Sequence, residues 1–202
     1  MKLLIATRNE GKLREFRRLL SGLNVEMAGL GGTGVTLQVE ETGSTFRENA
    51  CLKAAAYSEA SGLLTLADDS GLEVDALGGA PGVQSARYGG PGLSDAQRVG
   101  LLLDVMKDVP GWERTARFRA VLALAGPEVP GGMVTVEGVV EGAIAHQPIG
   151  LNGFGYDPVF WVPRLANTTA AIPAEQKDAV SHRGIAARRM AEVIRGLLAS
   201  RV

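Results

Sequence analysis

Two adjacent carboxylates, Asp68 and Asp69, followed by Ser70 and Gly71, close a short apolar run from Leu63 to Ala67. Carboxylates at the end of a buried strand are costly to desolvate unless a cation or strong donors compensate them. The carboxyl ends of strands are also where α/β sheets place ligands. Hard oxygen donors with no cluster of histidine or cysteine suit Mg2+ or Mn2+, held by one or two carboxylates together with substrate phosphate. Glu40 and Glu41 are candidates for a second metal carboxylate, and equally for a solvated acidic loop. The competing reading of Asp68 to Gly71 is an Asx turn in which Gly71 supplies a positive φ.

Three further segments carry donors or rings. Thr7, Arg8, Asn9, Glu10, Gly11 and Lys12 stand where an apolar run gives way to helical spacing. Unpaired backbone N–H groups and a partial positive charge make a helix start a phosphate site; the alternative is plain capping by Asn9 with a solvated Lys12. In Asn152-Gly153-Phe154-Gly155-Tyr156-Asp157-Pro158, aromatic rings sit among glycines, either as a stacking platform for a base or as anchors of the loop on the core. Lys177 and Ser181-His182-Arg183 put cations and donors at the start of the last helix, where the alternative is a capped helix with solvated basic residues. No segment supplies a nucleophile with its base, and Cys51 lies in an alanine-rich helical stretch. Metal-assisted attack of water on a phosphoryl group is the coherent chemistry.

The elements that must position these residues follow from periodicity. Leu3 to Ala6 reads as a buried strand, and Leu13, Phe16, Leu19 and Leu20 as the apolar face of the next helix. Val25 to Ala28 is a second short strand. Thr45 or Ser44 caps a helix from Phe46 to Ser61, with Glu48 completing a capping box. Leu63 to Ala67 is a strand that the spacing predicts to break at Asp68. Ser94 caps a helix to about Lys107, Arg117 to Leu124 and Met133 to Ile144 pair as antiparallel strands, and Val159 to Val162 adds another. An amphipathic helix from Ser181 to Arg201 ends the chain. Alternation early and neighbouring strands late define an α/β fold with a mixed sheet, as one domain over residues 1–202.

Composition narrows the class. The chain has 202 residues, with 21 Lys plus Arg against 22 Asp plus Glu. That balance gives no global electrostatic footprint for nucleic acid or an anionic membrane. A single cysteine and two histidines exclude a disulfide framework and a cysteine or histidine zinc site. The N-terminal apolar run is too short for a secretory segment, and no stretch is long enough to span a bilayer, so a cytoplasmic protein is expected.

Taken in order, Thr7-x-Asn9-x-x-Lys12, Ala67-Asp68-Asp69-Ser70-Gly71-Leu72, Gly78-Gly79-Ala80-Pro81-Gly82, Ser85-Ala86-Arg87-Tyr88, Gly153-Phe154-Gly155-Tyr156-Asp157-Pro158 and Ser181-His182-Arg183 resemble the inosine triphosphate pyrophosphatase family, and most of all its bacterial dITP/XTP branch. The resemblance spans nearly the whole chain. It implies an elongated mixed β-sheet flanked by helices, two lobes with a substrate cleft between them, and a homodimer. It also implies Mg2+-dependent hydrolysis of ITP, dITP and XTP to the monophosphate and pyrophosphate. By the same resemblance, Thr7, Arg8, Asn9, Glu10, Gly11, Lys12 and Lys53 would hold the triphosphate. Asp69 would bind metal and act as base, supported by Asp68, with Glu40 as the second metal carboxylate. Ser70 would touch substrate, Phe154 would stack on the base, and Gly155, Tyr156, Asp157, Lys177, His182 and Arg183 would line its pocket. The runner-up of a different class is a non-catalytic nucleotide sensor or a single-strand nucleic-acid module, against which the Asp68–Asp69 pair argues by repelling phosphate.

Overall fold

The computed structural model describes residues 1–200. Its first half alternates strand and helix: β1 (Lys2–Ile5), α1 (Glu10–Leu19), β2 (Glu26–Gly29), α2 (Phe46–Ser61) and β3 (Leu64–Val74). Then come α3 (Asp95–Val105), β4 (Thr115–Ala125), β5 (Met133–Ile144), β6 (Phe160–Val162), β7 (Asn167–Thr168), α4 (Ala174–Val180) and α5 (His182–Ala199). The strands form one seven-stranded sheet in the order β2-β1-β3-β4-β5-β6-β7. β1 runs parallel to β2 and β3, whereas β6 is antiparallel to both β5 and β7, so the sheet is mixed as expected. The link 126–132 between the neighbouring β4 and β5 is too short for a parallel crossover, which needs a dozen residues or more, so this pair is antiparallel. Arg201, expected at the end of the last helix, lies outside the described residues.

By backbone contact the chain divides into two compact units. The first comprises residues 1–69, 120–138 and 183 onward; the second comprises 70–119 and 139–182. In the first, Leu3, Ile5, Leu64, Leu66, Leu122 and Leu124 from the strands pack with Leu13, Phe16 and Leu20 of α1 and Met190 and Ile194 of α5. The apolar face expected of α1 is therefore the face that is buried. In the second, Leu72, Val74, Ala116, Phe160, Val162, Leu102 and Met106 are buried.

Local chemistry explains where helices begin. Asn9 caps α1 by accepting from the Lys12 N–H at 3.0 Å. Thr45 and Glu48 form a reciprocal capping box on α2, as do Ser94 and Gln97 on α3. The register of β1 on β3 pairs Ile5 with Leu66, and the Ala6 N–H donates to the Leu66 carbonyl at 2.8 Å. The turn after β1 and the Asp68–Asp69 pair are thereby brought to the same end of two parallel strands.

One expectation fails. Asp68, Asp69, Ser70 and Gly71 do not break the strand; β3 runs through them to Val74, and Gly71 takes no positive φ. The strand continues because cations compensate its two carboxylates, as described below. Further on, the Leu72 N–H donates to Ser85 Oγ at 2.9 Å.

Arg114 is 2% exposed and donates to the carbonyls of Met106, Val109, Ile144 and Ala145. It ties the end of α3 to the end of β5 inside the second unit. Arg114→Met removes the charge but strands those buried acceptors, at about 1–3 kcal/mol for each one left dry. Chemical denaturation of Arg114→Met is expected to show a loss of more than about 3 kcal/mol; a change under 1 kcal/mol would mean that water replaces the guanidinium.

Candidate active site

In the first unit the parallel strands deliver a compact cluster of charge. Lys12, one turn into α1, reaches Asp68 Oδ2 at 2.7 Å. Arg183, in the first turn of α5, stands 3.6 Å from the same oxygen and 2.5 Å from Glu15 Oε2. Lys53 of α2 donates to the Asp68 carbonyl at 2.8 Å, pairs with Asp69 Oδ1 at 3.2 Å and pairs with Glu41. Asp68, Asp69, Glu15 and Arg183 are all buried. Ser70 follows in the strand, partly buried.

The two aspartates differ in electrostatics although they are neighbours. Burial opposes ionisation of Asp68, but Lys12 and then Arg183 outweigh it and hold its carboxyl well below the usual range. Burial also loosens the proton of Lys12. The ion pair is nevertheless the state the geometry favours, because Arg183 backs the same carboxylate. Asp69 moves the other way: burial raises its pKa, Lys53 and Lys12 oppose the rise, and Glu41 and Asp68 add to it. For Lys53 the attraction of Asp69 and Glu41 outweighs burial, so its ammonium keeps its proton more tightly than usual. Asp68 is thus a fixed anion that holds cations, whereas Asp69 is a carboxylate inclined to take a proton.

Asp69 Oδ2 is buried and has no hydrogen-bond partner. A buried carboxylate oxygen left without a partner suits a hard cation or the proton of a water. Among the described residues no three carboxylate, imidazole or thiol groups converge into a cage. A cation here would therefore draw on two carboxylates and on substrate oxygens, the usual habit of Mg2+. Glu41 is the second carboxylate that the structure brings to Asp69 through Lys53, whereas Glu40 is exposed. The loop enters α2 through the capping box at Thr45.

In the second unit the glycine-rich loop is pinned by its own acid. Asp157 is 2% exposed; its carboxylate accepts from the Phe154 N–H at 2.9 Å and from Thr169 Oγ1 at 2.8 Å, and pairs with Lys177 at 2.5 Å. Lys177 Nζ lies 5.0 Å from the centroid of the half-exposed Phe154 ring, a cation–π distance. The Gly155 N–H donates to Asp95 Oδ2 at 2.8 Å, and the Tyr156 hydroxyl donates to the Ser85 carbonyl at 2.9 Å. Burial pushes the Tyr156 phenol up, so it stays a donor. His182 stacks on Phe118 with ring centroids 4.6 Å apart.

The expected residues thus fall into two groups. Lys12, Lys53, Asp68, Asp69 and Arg183 come together in the first, and Phe154, Gly155, Tyr156, Asp157 and Lys177 in the second. Thr7 Oγ1 accepts from the Asn9 N–H at 3.1 Å and Asn9 caps the helix, so both spend side-chain oxygens on the turn. Glu10 and Gly11 open α1. Arg8 donates to the Leu37 carbonyl at 2.9 Å. Glu15, Asp95, Thr169 and Phe118 join the groups unannounced by sequence, and Ser85, quoted only as part of a motif, gains a stated contact through Tyr156. Glu15 alone carried a signal: it lies three residues after Lys12, on the same helix face.

A mixed α/β sheet that carries a capped helix start and buried paired aspartates suits a hydrolase acting on nucleotide phosphates. The sequence matches the Ham1 family over residues 3–193, and the chain belongs to that family. The dITP/XTP pyrophosphatase of Exiguobacterium sibiricum is 47% identical to it over 94% of this chain and 95% of its own length. A HAM1 protein from Coxiella burnetii superposes with a TM-score of 0.87 at 40% identity, covering 97% of this chain and 99% of that one. The nucleoside-triphosphatase / dITP/XTP pyrophosphatase from Mycobacterium abscessus gives 0.74 at 45% identity, over 94% and 97%. No helix among the described residues is long and apolar enough to cross a membrane.

Proposed function

We propose that this chain hydrolyses deaminated purine nucleoside triphosphates, ITP, dITP and XTP, to the monophosphate and pyrophosphate, clearing them from the cytoplasmic nucleotide pool as a homodimer. The observation that carries the reading is the buried Oδ2 of Asp69, without a hydrogen-bond partner, in a carboxylate that shares Lys53 with Glu41 and feels the charge of Lys12. A module that only bound phosphate would gain nothing from a buried carboxylate oxygen left without a hydrogen-bond partner there.

The side chains divide the work as follows. Lys12 and Lys53, with the N–H groups of the Thr7 to Lys12 turn, neutralise and orient the triphosphate. Asp69 Oδ2 accepts the proton of the water that attacks the innermost phosphorus, and pyrophosphate leaves. Asp69 and Glu41 would hold Mg2+, which when bound screens phosphate charge and acidifies water. Asp68 keeps Lys12 and Arg183 in place. Phe154 stacks on the purine, with Lys177 on the ring and Asp157 fixing both. Ser70, Tyr156 and His182 complete the contacts. Donors around His182 meet the carbonyl that inosine and xanthosine carry at position six, where adenine carries an amino group; a buried donor facing another donor costs about 1–3 kcal/mol.

The test is a substrate screen read by pyrophosphate release. ITP, dITP and XTP are expected to exceed ATP by about 10²-fold or more in kcat/KM, with activity abolished by EDTA and restored by Mg2+. ATP cleaved as fast as ITP would overturn the pool-clearing role.

A further inference from the structure

The acidic pair reaches the site on a segment with no regular structure of its own. Residues 35–43 are neither helix nor strand, yet Glu41 must meet Lys53 and Asp69 at a defined place. The segment is held at two points. At one, Arg8 Nη2 donates to the Leu37 carbonyl at 2.9 Å and lies 3.4 Å from that of Thr36. At the other, the Gly43 N–H donates to Asn49 Oδ1 at 2.7 Å.

The second clamp is tightly made. Asn49 has no exposed surface, and a Cβ on Gly43 would fall 2.6 Å from Glu48 Cβ and 2.7 Å from Asn49 Oδ1. Asn49 precedes Lys53 by four residues on α2, so the two share a helix face. The amide that fixes the segment and the ammonium that receives Glu41 are therefore set by the same helix. The first clamp comes from the phosphate turn itself, since Arg8 lies between Thr7 and the capping Asn9. With its guanidinium spent on backbone carbonyls, Arg8 does for the acidic segment what a hydrogen-bonding residue behind a metal ligand does elsewhere.

We infer that Arg8 and Asn49 are positioning residues that hold the 35–43 segment so that Glu41 stands beside Asp69 as a divalent-cation ligand. Arg8 then joins the phosphate turn to the cation site rather than gripping the triphosphate. This inference rests on the assignment of Glu41 and Asp69 as the cation pair, and the experiment separates the two.

Mn2+ is titrated into the nucleotide-free chain and followed by the electron paramagnetic resonance of the free ion. Glu41→Gln and Asp69→Asn serve as references; binding by both as tight as in the parent chain would remove the cation pair and with it the inference. With those references weakened, Arg8→Ala and Asn49→Ala are each expected to lower Mn2+ affinity by about tenfold, with Arg8→Lys recovering part of the loss through one retained donor. At saturating Mn2+, the KM of Arg8→Ala for ITP stays within about twofold of the parent, since only uniform substrate binding would move it alone. Hydrogen exchange at the amides of 36–43 accelerates in Arg8→Ala. Arg8 is exposed, so its variants fold even if the buried Asn49→Ala does not. Unchanged Mn2+ affinity with a raised KM in Arg8→Ala would return Arg8 to the triphosphate and overturn the inference.

Discussion

Asp69→Asn is expected to slow ITP hydrolysis by about 10²-fold or more in kcat, with the fold retained. The reasoning starts from the asymmetry of the aspartate pair. Asp69 is the carboxylate whose pKa burial raises, and its Oδ2 faces no donor. Its Oδ1 stands 3.2 Å from Lys53. An asparagine keeps that oxygen and the side-chain shape, so Lys53 retains an acceptor, but it cannot take a proton or supply charge to a cation. The sign of the pKa shift adds a check. A carboxylate raised above its usual pKa loses its charge earlier as pH falls. The metal-free parent chain should therefore take up a proton at Asp69 above the usual aspartate range, and Asp69→Asn should lack that uptake when the two are compared by carboxyl NMR. Retention of most activity in Asp69→Asn would remove the general-base assignment.

Gly153→Ala is expected to lower kcat/KM for ITP by about 10²-fold or more, because it destroys the geometry that presents the base platform. Gly153 has φ +77°, and a Cβ there would enter the Asp157 carboxylate well inside van der Waals contact. That carboxylate also anchors the Phe154 N–H, Thr169 and Lys177. Relief by moving Asp157 would release the three partners together, so a single methyl costs both backbone strain and a buried network. The loss should appear in KM as well as kcat. Mn2+ binding to the nucleotide-free variant should match the parent, because Glu41 and Asp69 belong to the other compact unit. A variant with parental kcat/KM would show that the loop does not depend on Asp157.

Much of this was legible in the sequence. Capping signals at Asn9, at Ser44 or Thr45, and at Ser94 marked three helix starts, with Thr45 the cap of the second, since a side-chain acceptor three residues before an N–H is a local matter. The apolar spacing of Leu13, Phe16 and Leu20 named the buried face of α1 correctly. Asp68 to Gly71 misled because two carboxylates and a glycine favour a turn in isolation. Lys12, Lys53 and Arg183 reverse that preference from three distant parts of the chain, and no local pattern reports their approach. The same reason hid Glu15 behind Arg183, 168 residues away in sequence. The resemblance pointed to Glu40 as the second carboxylate, whereas in the structure Glu40 is exposed and Glu41 pairs with Lys53, a contact across 12 residues that no local pattern reports. The hydrogen bond from Arg8 to the Leu37 carbonyl, 29 residues away, likewise has no local signature.

The division of residues between the two compact units bears on how such a protein can change. In the proposed reaction, cleavage of the anhydride draws on Lys12, Lys53, Asp68 and Asp69, all in one unit, and recognition of the base on Phe154, Asp157 and Lys177, all in the other. Each set is stabilised by partners from its own unit: Glu15 and Arg183 for the first, Asp95, Ser85 and Thr169 for the second. Changes in residues that share no partners tend to add in free energy. Substitutions around the loop should therefore change which purine is accepted while leaving the aspartate cluster undisturbed. An engineer seeking a new nucleotide target would begin at the loop around Phe154 and leave the aspartates alone.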